Sequence, residues 1–269
     1  MKIVVTGGAS GLGQALVKRL AGHEAWLLDV QAPESLLAGH QALSVDLSDP
    51  EQIDQAAAAL PDSIDALANV AGIAAATDPE KVLAVNFLAL RHLSEALAPR
   101  LSSGGPIVNV SSIAGRDWQS RYERLRPLLE TASFADGMRW CEENREAYGR
   151  DPYTFSKRLV TAHTLRMAAV GVQNGFRVNC VSPGPIETPL FPQFESLMGK
   201  AQSDWMVAQT GRIADANDIA EVVDLLLTGE CGWLNGVDVP VDGGYSAGID
   251  AGWVDFAASP LMQARKPLK

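Results

Sequence analysis

The sequence predicts a doubly wound α/β fold, a parallel sheet covered by helices on both faces, and three observations predict it. Short apolar runs alternate with longer segments of helical period, the runs are apolar on both faces, and the first leads directly into a glycine-rich turn. Six runs read as strands: KIVVT from Lys2, AWLLDV from Ala25, DALANV from Asp65, PIVNVS from Pro106, RVNCVS from Arg177 and VDVPVD from Val237. With 269 residues, 47% of them hydrophobic, the chain suffices for one sizeable core, and no composition break or repeat divides it. The expectation is therefore a single domain, with one segment set apart. From Arg116 to Arg150, seven Arg and seven acidic residues share the sequence with Leu125, Leu128 and Leu129 at helical spacing, which predicts a charged helical insertion over 116–150.

A formal charge of −10 argues against nucleic acid or an anionic membrane as partner, because both require attraction to phosphate. Cys141, Cys180 and Cys231 have neither the even count of a disulfide framework nor the spacing of a zinc site, and the four His are scattered. No metal site is expected. With no export signal and no apolar run of membrane-spanning length, the expected location is the cytoplasm.

The first strand runs into Thr6, Gly7, Gly8, Ala9, Ser10, Gly11, Leu12 and Gly13, where a helix begins. Glycines at a strand-to-helix junction let the backbone approach a pyrophosphate, whose charge then lies at a helix N-terminus. Gly7, Ser10, Gly11, Leu12 and Gly13 are the candidate contacts. Asp29 ends the second strand, 16 residues after Gly13, where a carboxylate accepts from the adenosine ribose hydroxyls and repels a 2′-phosphate. No Arg or Lys stands in the loop or directly after Asp29, so NAD is expected rather than NADP. The fold is then a single-domain, Rossmann-type doubly wound sheet with a helical insertion.

Tyr153 and Lys157, in YTFSK, stand at i and i+4 on a predicted helix, so their side chains share one face. A free phenol, titrating near 10, is a poor base at neutral pH. A neighbouring ammonium is expected to bring the phenol's pKa down, making Tyr153 the acid/base.

The loop spacing TGxxxGxG, with YTFSK after the fifth apolar helix-and-strand unit, resembles the short-chain dehydrogenase/reductase family, and further motifs follow in chain order over about residues 1 to 245. The resemblance implies adenine contacts from Asp46 and Leu47 in VDL, and cofactor contacts from Asn69, Ala71 and Gly72 in NVAG, where Val70 replaces the usual second Asn. It also implies that Pro183, Gly184, Ile186 and Thr188, in PGPIET, hold the nicotinamide end and that Lys157 holds a ribose. IVNVSSIAG aligns Ser112, with Ser111 as the second candidate, as the hydroxyl that orients the substrate oxygen. Asn86, in AVNFLAL, corresponds to the family residue that supports a water in a proton relay, or is a helix Asn satisfied by backbone. The 41 residues separating Ser112 from Tyr153 exceed the usual family spacing, and a branch including 3α-hydroxysteroid dehydrogenase/carbonyl reductases and coniferyl alcohol dehydrogenase-like proteins carries a similar insert. An insert there is expected to obstruct the usual four-helix subunit contact, so a homodimer is favoured over a tetramer, and to close one side of the substrate cleft.

Leu190, Phe191, Phe194, Leu197, Met198, Trp205 and Met206 fall in a segment, 188–214, read as a substrate lid or as ordinary core. As a lid it suits a small apolar alcohol or carbonyl compound, of hydroxysteroid or coniferyl type. The tail, 245–269, is read as a cap on a site or a subunit contact. The rival functions are a catalytically silent NAD sensor on the same fold, which has no need of Asn86, Ser112, Tyr153 and Lys157 together, and a sugar-nucleotide epimerase, for which the tail is short.

Overall fold

The computed structural model describes residues 1–75 and 78–264. Its main sheet has seven parallel strands in the order β3-β2-β1-β4-β5-β6-β9: β1 (Lys2–Thr6), β2 (Glu24–Asp29), β3 (His40–Ser44), β4 (Ala66–Asn69), β5 (Pro106–Val110), β6 (Arg177–Pro183) and β9 (Asp238–Val241). Two short strands, β7 (Ile186–Glu187) and β8 (Ala214–Asp215), pair separately. The helices are α1 (Gly11–Arg19), α2 (Pro50–Ala59), α3 (Pro79–Leu83), α4 (Ala89–Leu97), α5 (Tyr122–Leu129), α6 (Phe134–Glu143), α7 (Arg145–Tyr148), α8 (Pro152–Asn174), α9 (Phe191–Met198), α10 (Lys200–Thr210), α11 (Ala216–Thr228), α12 (Tyr245–Ala251) and α13 (Pro260–Ala264). The chain winds outward from β1 to β3, then returns to lay β4 on the other side of β1. Ligands of open α/β sheets bind at such a reversal, beyond the carboxyl ends of the strands.

Strand alternation divides the core. Val4, Leu28, Leu67 and Ile107 face one cluster, with the π-helical turn Ala84–Leu88, α4 and α8; Ile3, Val5, Leu27 and Val108 face the other, with α1 and α11. Both sides being apolar, the central strands carry the continuous hydrophobic runs that made them legible. β3 was not among the six strands read from sequence. It lies at the sheet edge with most of its HQALS exposed, so it has no apolar run to display.

The insertion is helical, as expected, and comprises α5, α6 and α7. Leu125, Leu128, Leu129, Phe134, Cys141 and Tyr148 are buried in the same cluster as α4 and α8, so this segment is part of the main core. Its outer side carries the expected ion pairs, among them Arg126 with Glu123 and Glu130, and Arg139 with Asp136. Beneath α5, the buried Arg91 of α4 donates to the Leu128 carbonyl, the Thr131 hydroxyl and the Ser133 carbonyl at 3.2, 3.0 and 3.0 Å. The expectation that the insertion walls the substrate cleft is therefore revised: its apolar face is taken up by α4 and α8.

Candidate active site

The glycine loop follows β1 into the sheet's point of reversal, and its glycines are sterically required. Gly7 has φ +73°, and a Cβ there would lie 2.7 Å from the Ala71 Cα; a Cβ on Gly13 would collide with the Gly7 carbonyl. The turns after β1 and β4 are thus pressed together, and the Thr6 hydroxyl ties them by accepting from the Val70 and Ala71 N–H groups at 3.1 and 3.2 Å. Ser10, at the N-cap of α1, has an exposed side chain that makes no capping bond. Thr188 returns over this loop, since a Cβ on Gly11 would lie 3.5 Å from its Cβ. The result is a tight backbone cradle bounded by Gly7, Gly11, Ala71 and Thr188 at the N-terminus of α1, which no side chain caps, an arrangement that suits a dinucleotide pyrophosphate.

Asp29 stands at the end of β2, where its carboxylate accepts from the Ala9 and Gln31 N–H groups at 2.9 and 3.0 Å. The bond from Ala9, which ties β2 to the glycine loop, was not visible in the sequence. Asp46 accepts from the Ser48 hydroxyl and N–H at 2.6 and 2.8 Å and lies 3.8 Å from the Lys81 ammonium; the Ser48 bonds above all hold its carboxyl below the ordinary carboxylate range. Leu47 is buried in the core cluster. Asn69 is turned inward: its Nδ2 donates to the Ser94 hydroxyl and the Asn109 Oδ1, locking β4 to β5 and α4. Pro183 and Gly184 leave β6 beside β9, the Gly184 N–H donating to the Val241 carbonyl at 3.1 Å, and Ile186 follows in β7.

The catalytic candidates meet where β5, β6 and α8 adjoin this cradle. The two serines after β5 diverge. Ser111 is buried, donating to the Lys157 carbonyl at 2.9 Å and lying 2.7 Å from the Thr161 hydroxyl. Ser112 is half-buried and faces Tyr153, whose pKa it draws downward by hydrogen bonding. Tyr153 and Lys157 are displayed by α8, which starts with Pro152 and with the Asp151 carboxylate accepting the Thr154 N–H. The Lys157 Nζ donates to the Val110 carbonyl at 2.9 Å and lies over the Tyr153 ring, 5.7 Å from its centroid.

The electrostatics differ from the simplest expectation. Burial pushes the Tyr153 phenol up to about 12, and Ser112 only partly opposes it. Burial also pushes the Lys157 ammonium down, to about 8. Desolvation disfavours the charged form of each, and for Tyr153 the nearby Asp151 carboxylate adds to it.

Asn86 occupies the π-helical turn that interrupts the passage from α3 to α4. Its amide is fully engaged: Oδ1 accepts the Ile73 N–H at 2.8 Å, and Nδ2 donates to the Ile73 carbonyl and the Ser156 hydroxyl at 2.9 and 3.0 Å. Gly72 is the junction, because a Cβ there would lie 3.4 Å from Asn86 Oδ1 and 3.5 Å from Lys157 Nζ. Asn86, Gly72, Lys157 and Tyr153 therefore form one connected group. Sequence reasoning missed Ser156, although it stands within YTFSK, and the Val110 carbonyl, for which side-chain patterns give no signal.

The far side of the group is apolar. Ile113, Met198, Trp205 and Ile249 pack against a cluster of Met206, Tyr245 and Val254, so the segment after Thr188 and the tail meet beside Ser112. Arg116 also pairs with Asp250 of α12, joining the start of the insertion to the tail. Residues 265–269 of the tail lie outside those described.

A short chain dehydrogenase family model matches residues 1–123, and an enoyl-(acyl carrier protein) reductase model matches residues 138–246. The chain is 34% identical over 246 residues to a coniferyl-alcohol dehydrogenase of Pseudomonas sp. (strain HR199), covering 91% of this chain and 96% of that one. It is 28% identical over 256 residues to a 3-alpha-hydroxysteroid dehydrogenase/carbonyl reductase of Comamonas testosteroni, covering 91% and 96%. The crystal structure of the 3-alpha-hydroxysteroid dehydrogenase from Pseudomonas sp. B-0831, complexed with NADH, superposes with a TM-score of 0.78 at 28% identity, covering 93% of this chain and 99% of that one. Matched along nearly its whole length to dehydrogenases built on this same sheet, the chain belongs to the short-chain dehydrogenase/reductase family of oxidoreductases.

Proposed function

We propose that the protein is an NAD-dependent dehydrogenase that interconverts an apolar secondary, allylic or aromatic alcohol and its carbonyl compound, with Tyr153 as acid/base. The observation that carries this reading is the Lys157 ammonium held by the Val110 carbonyl over the Tyr153 ring, 5.7 Å from its centroid, with Ser112 beside the phenol. Ser112 orients the substrate oxygen. In oxidation the substrate O–H proton passes to the Tyr153 oxygen and the carbinol C–H bond breaks, its hydrogen leaving with both electrons as hydride. When bound, nicotinamide would supply the acceptor for that hydride, and Lys157, over the Tyr153 ring, would with it favour the phenolate that the free protein disfavours. In reduction Tyr153 returns the proton. Asn86 positions the group through Ile73 and Ser156 and stands where a relay to solvent would run.

NAD is favoured over NADP because the Asp29 carboxylate lies at the ribose end of the cradle with no cation in the glycine loop. The apolar surroundings of Ile113, Met198 and Trp205 support an apolar substrate, and the names of the relatives point to coniferyl-type alcohols or hydroxysteroids. The three free cysteines, two of them buried, suit a reducing cytoplasm. Because α5 and α6 cover the outer sides of α4 and α8, a homodimer through another face is the assembly proposed.

The test is a screen of alcohols and carbonyl compounds with NAD(H) and NADP(H), following the absorbance of the reduced nicotinamide. Turnover of apolar alcohols with NAD is expected. NAD binding without turnover of any of them would overturn the reading in favour of a sensor.

A further inference from the structure

The segment between β7 and β8 contains two helices held in different ways. α10 is anchored: Gln202 and Ser203 are buried, the Gln202 Oε1 accepts the Leu261 N–H at 2.9 Å, and the Trp205 ring stands edge-on to Tyr245 with centroids 6.0 Å apart. α9 buries none of its residues. The two meet at Gly199, with φ +84°, a backbone open to glycine and strained for other residues. From the loosely held helix, Phe194 reaches the acid/base: its ring stands edge-on to Tyr153, centroids 4.8 Å apart and planes at 68°.

From this geometry we infer that Phe194 is the specificity-determining residue of the site, an aromatic wall that selects alcohols whose carbinol carbon carries a flat, unsaturated substituent. The inference rests on the reading of Ser112 and Tyr153 given above. A substrate oxygen held by those hydroxyls has its carbinol carbon one bond away, so its lid-side substituent enters the space that Phe194 bounds. A flat π-system can lie against that ring offset or edge-on and gain the quadrupole term that aromatic pairs have beyond area burial. A puckered saturated ring of the same size gains area only, and its axial hydrogens hold the rings apart. α9 has no fully buried side chain, its main tie to α10 and the tail being Met198 against Met206, Tyr245 and Val254, so the wall is held less firmly than α10. The wall thus favours aryl and allyl alcohols over saturated alicyclic ones.

The experiment compares benzyl alcohol with cyclohexylmethanol, equal in carbon skeleton and different in flatness, in the wild type, Phe194→Leu and Phe194→Tyr. The expected result is a kcat/KM preference for benzyl alcohol that falls about two- to tenfold in Phe194→Leu, mainly through KM, and is retained in Phe194→Tyr. Inhibition by benzamide against cyclohexanecarboxamide, read as inhibition constants in the presence of NADH, should shift by a similar factor. NAD titration of each variant checks that the cofactor site is intact. Turnover of both alcohols with a preference that survives Phe194→Leu overturns this inference and leaves the dehydrogenase reading standing. Absence of turnover with every alcohol overturns both.

Discussion

The Lys157 ammonium lies over the face of the Tyr153 ring, 5.7 Å from its centroid, and is held there by the Val110 carbonyl. Burial of both groups has a consequence for stability. The folded pKa of Lys157 is depressed from 10.5 to about 8, so the unfolded chain binds the proton more tightly and stability rises with pH between those values. Below pH ~8 the full penalty applies, roughly 3 kcal/mol, offset by about 1 kcal/mol from the Val110 hydrogen bond. Lys157→Met should therefore be more stable than the wild type at pH ~7 by about 2 kcal/mol, with the advantage vanishing by pH ~10. Urea unfolding at the two pH values measures this, and a variant less stable at both would show that the ammonium is compensated in the fold.

Tyr153→Phe removes the proton-transferring oxygen and keeps the ring that meets Phe194 and Lys157. Turnover should fall by about 10²–10⁴-fold, the scale of general acid–base catalysis, with NAD affinity and melting temperature nearly unchanged. Lys157→Ala, by contrast, should weaken both turnover and NAD binding. In the wild type kcat/KM for alcohol oxidation, measured with saturating NAD, should rise with pH to a plateau, because the deprotonated phenol is the base and the bound cofactor is proposed to bring its pKa below the value of about 12 held in the free protein. A rate that nowhere rises with pH, or substantial activity in Tyr153→Phe, would move the proton transfer elsewhere.

What sequence could and could not reveal follows from how each feature is encoded. Strands buried on both faces announce themselves as apolar runs, whereas the edge strand His40–Ser44 does not. Tyr153 and Lys157 were legible because helical periodicity alone puts i and i+4 together. The alignment of IVNVSSIAG put Ser112 ahead of Ser111, and the tertiary contacts add what sequence could not, that Ser111 is engaged by Thr161 and the Lys157 carbonyl. The raised phenol and lowered ammonium were not legible either: charge proximity is visible in sequence, but burial depends on every element packed around the pair. Phe194 was one apolar residue among several in the lid, and nothing local distinguished it before its ring was found against Tyr153.

Asp29 accepts from Ala9 and is proposed to meet the cofactor ribose, so its removal should act in two ways. Asp29→Ala is expected to weaken NAD by about tenfold or more, through a lost charge-assisted hydrogen bond and a loosened loop. NADP should weaken less or improve, because its 2′-phosphate no longer meets a carboxylate. Isothermal titration of both cofactors measures the ratio; equal affinities in the wild type, or an unchanged ratio in the variant, would remove Asp29 from the recognition of the ribose.

The last prediction concerns the insertion, which sequence presented as a wall of the substrate cleft and the structure packs against the core. Leu128 is fully buried among side chains of α4 and α8, and the guanidinium of Arg91 satisfies acceptors at the end of α5 and in the turn beyond it. At the other end, the buried Glu80 of α3 accepts from the Tyr148 hydroxyl at 2.7 Å and pairs with Arg145. Replacing residues 116–150 by a Gly/Ser loop would uncover that apolar surface and strip Arg91 and Glu80 of their partners, so the variant should fail to fold stably. Single substitutions make the point measurable. Leu128→Ala should cost about 2–5 kcal/mol as a cavity, and Arg91→Met about 2–4 kcal/mol by orphaning acceptors. In each variant kcat/KM per folded molecule should remain close to the wild type for large and small alcohols alike, because this face packs away from Ile113 and the lid cluster. Urea unfolding and steady-state kinetics on the same preparations separate the possibilities. Unchanged stability together with a raised KM for large alcohols would return the insertion to the role of a cleft wall.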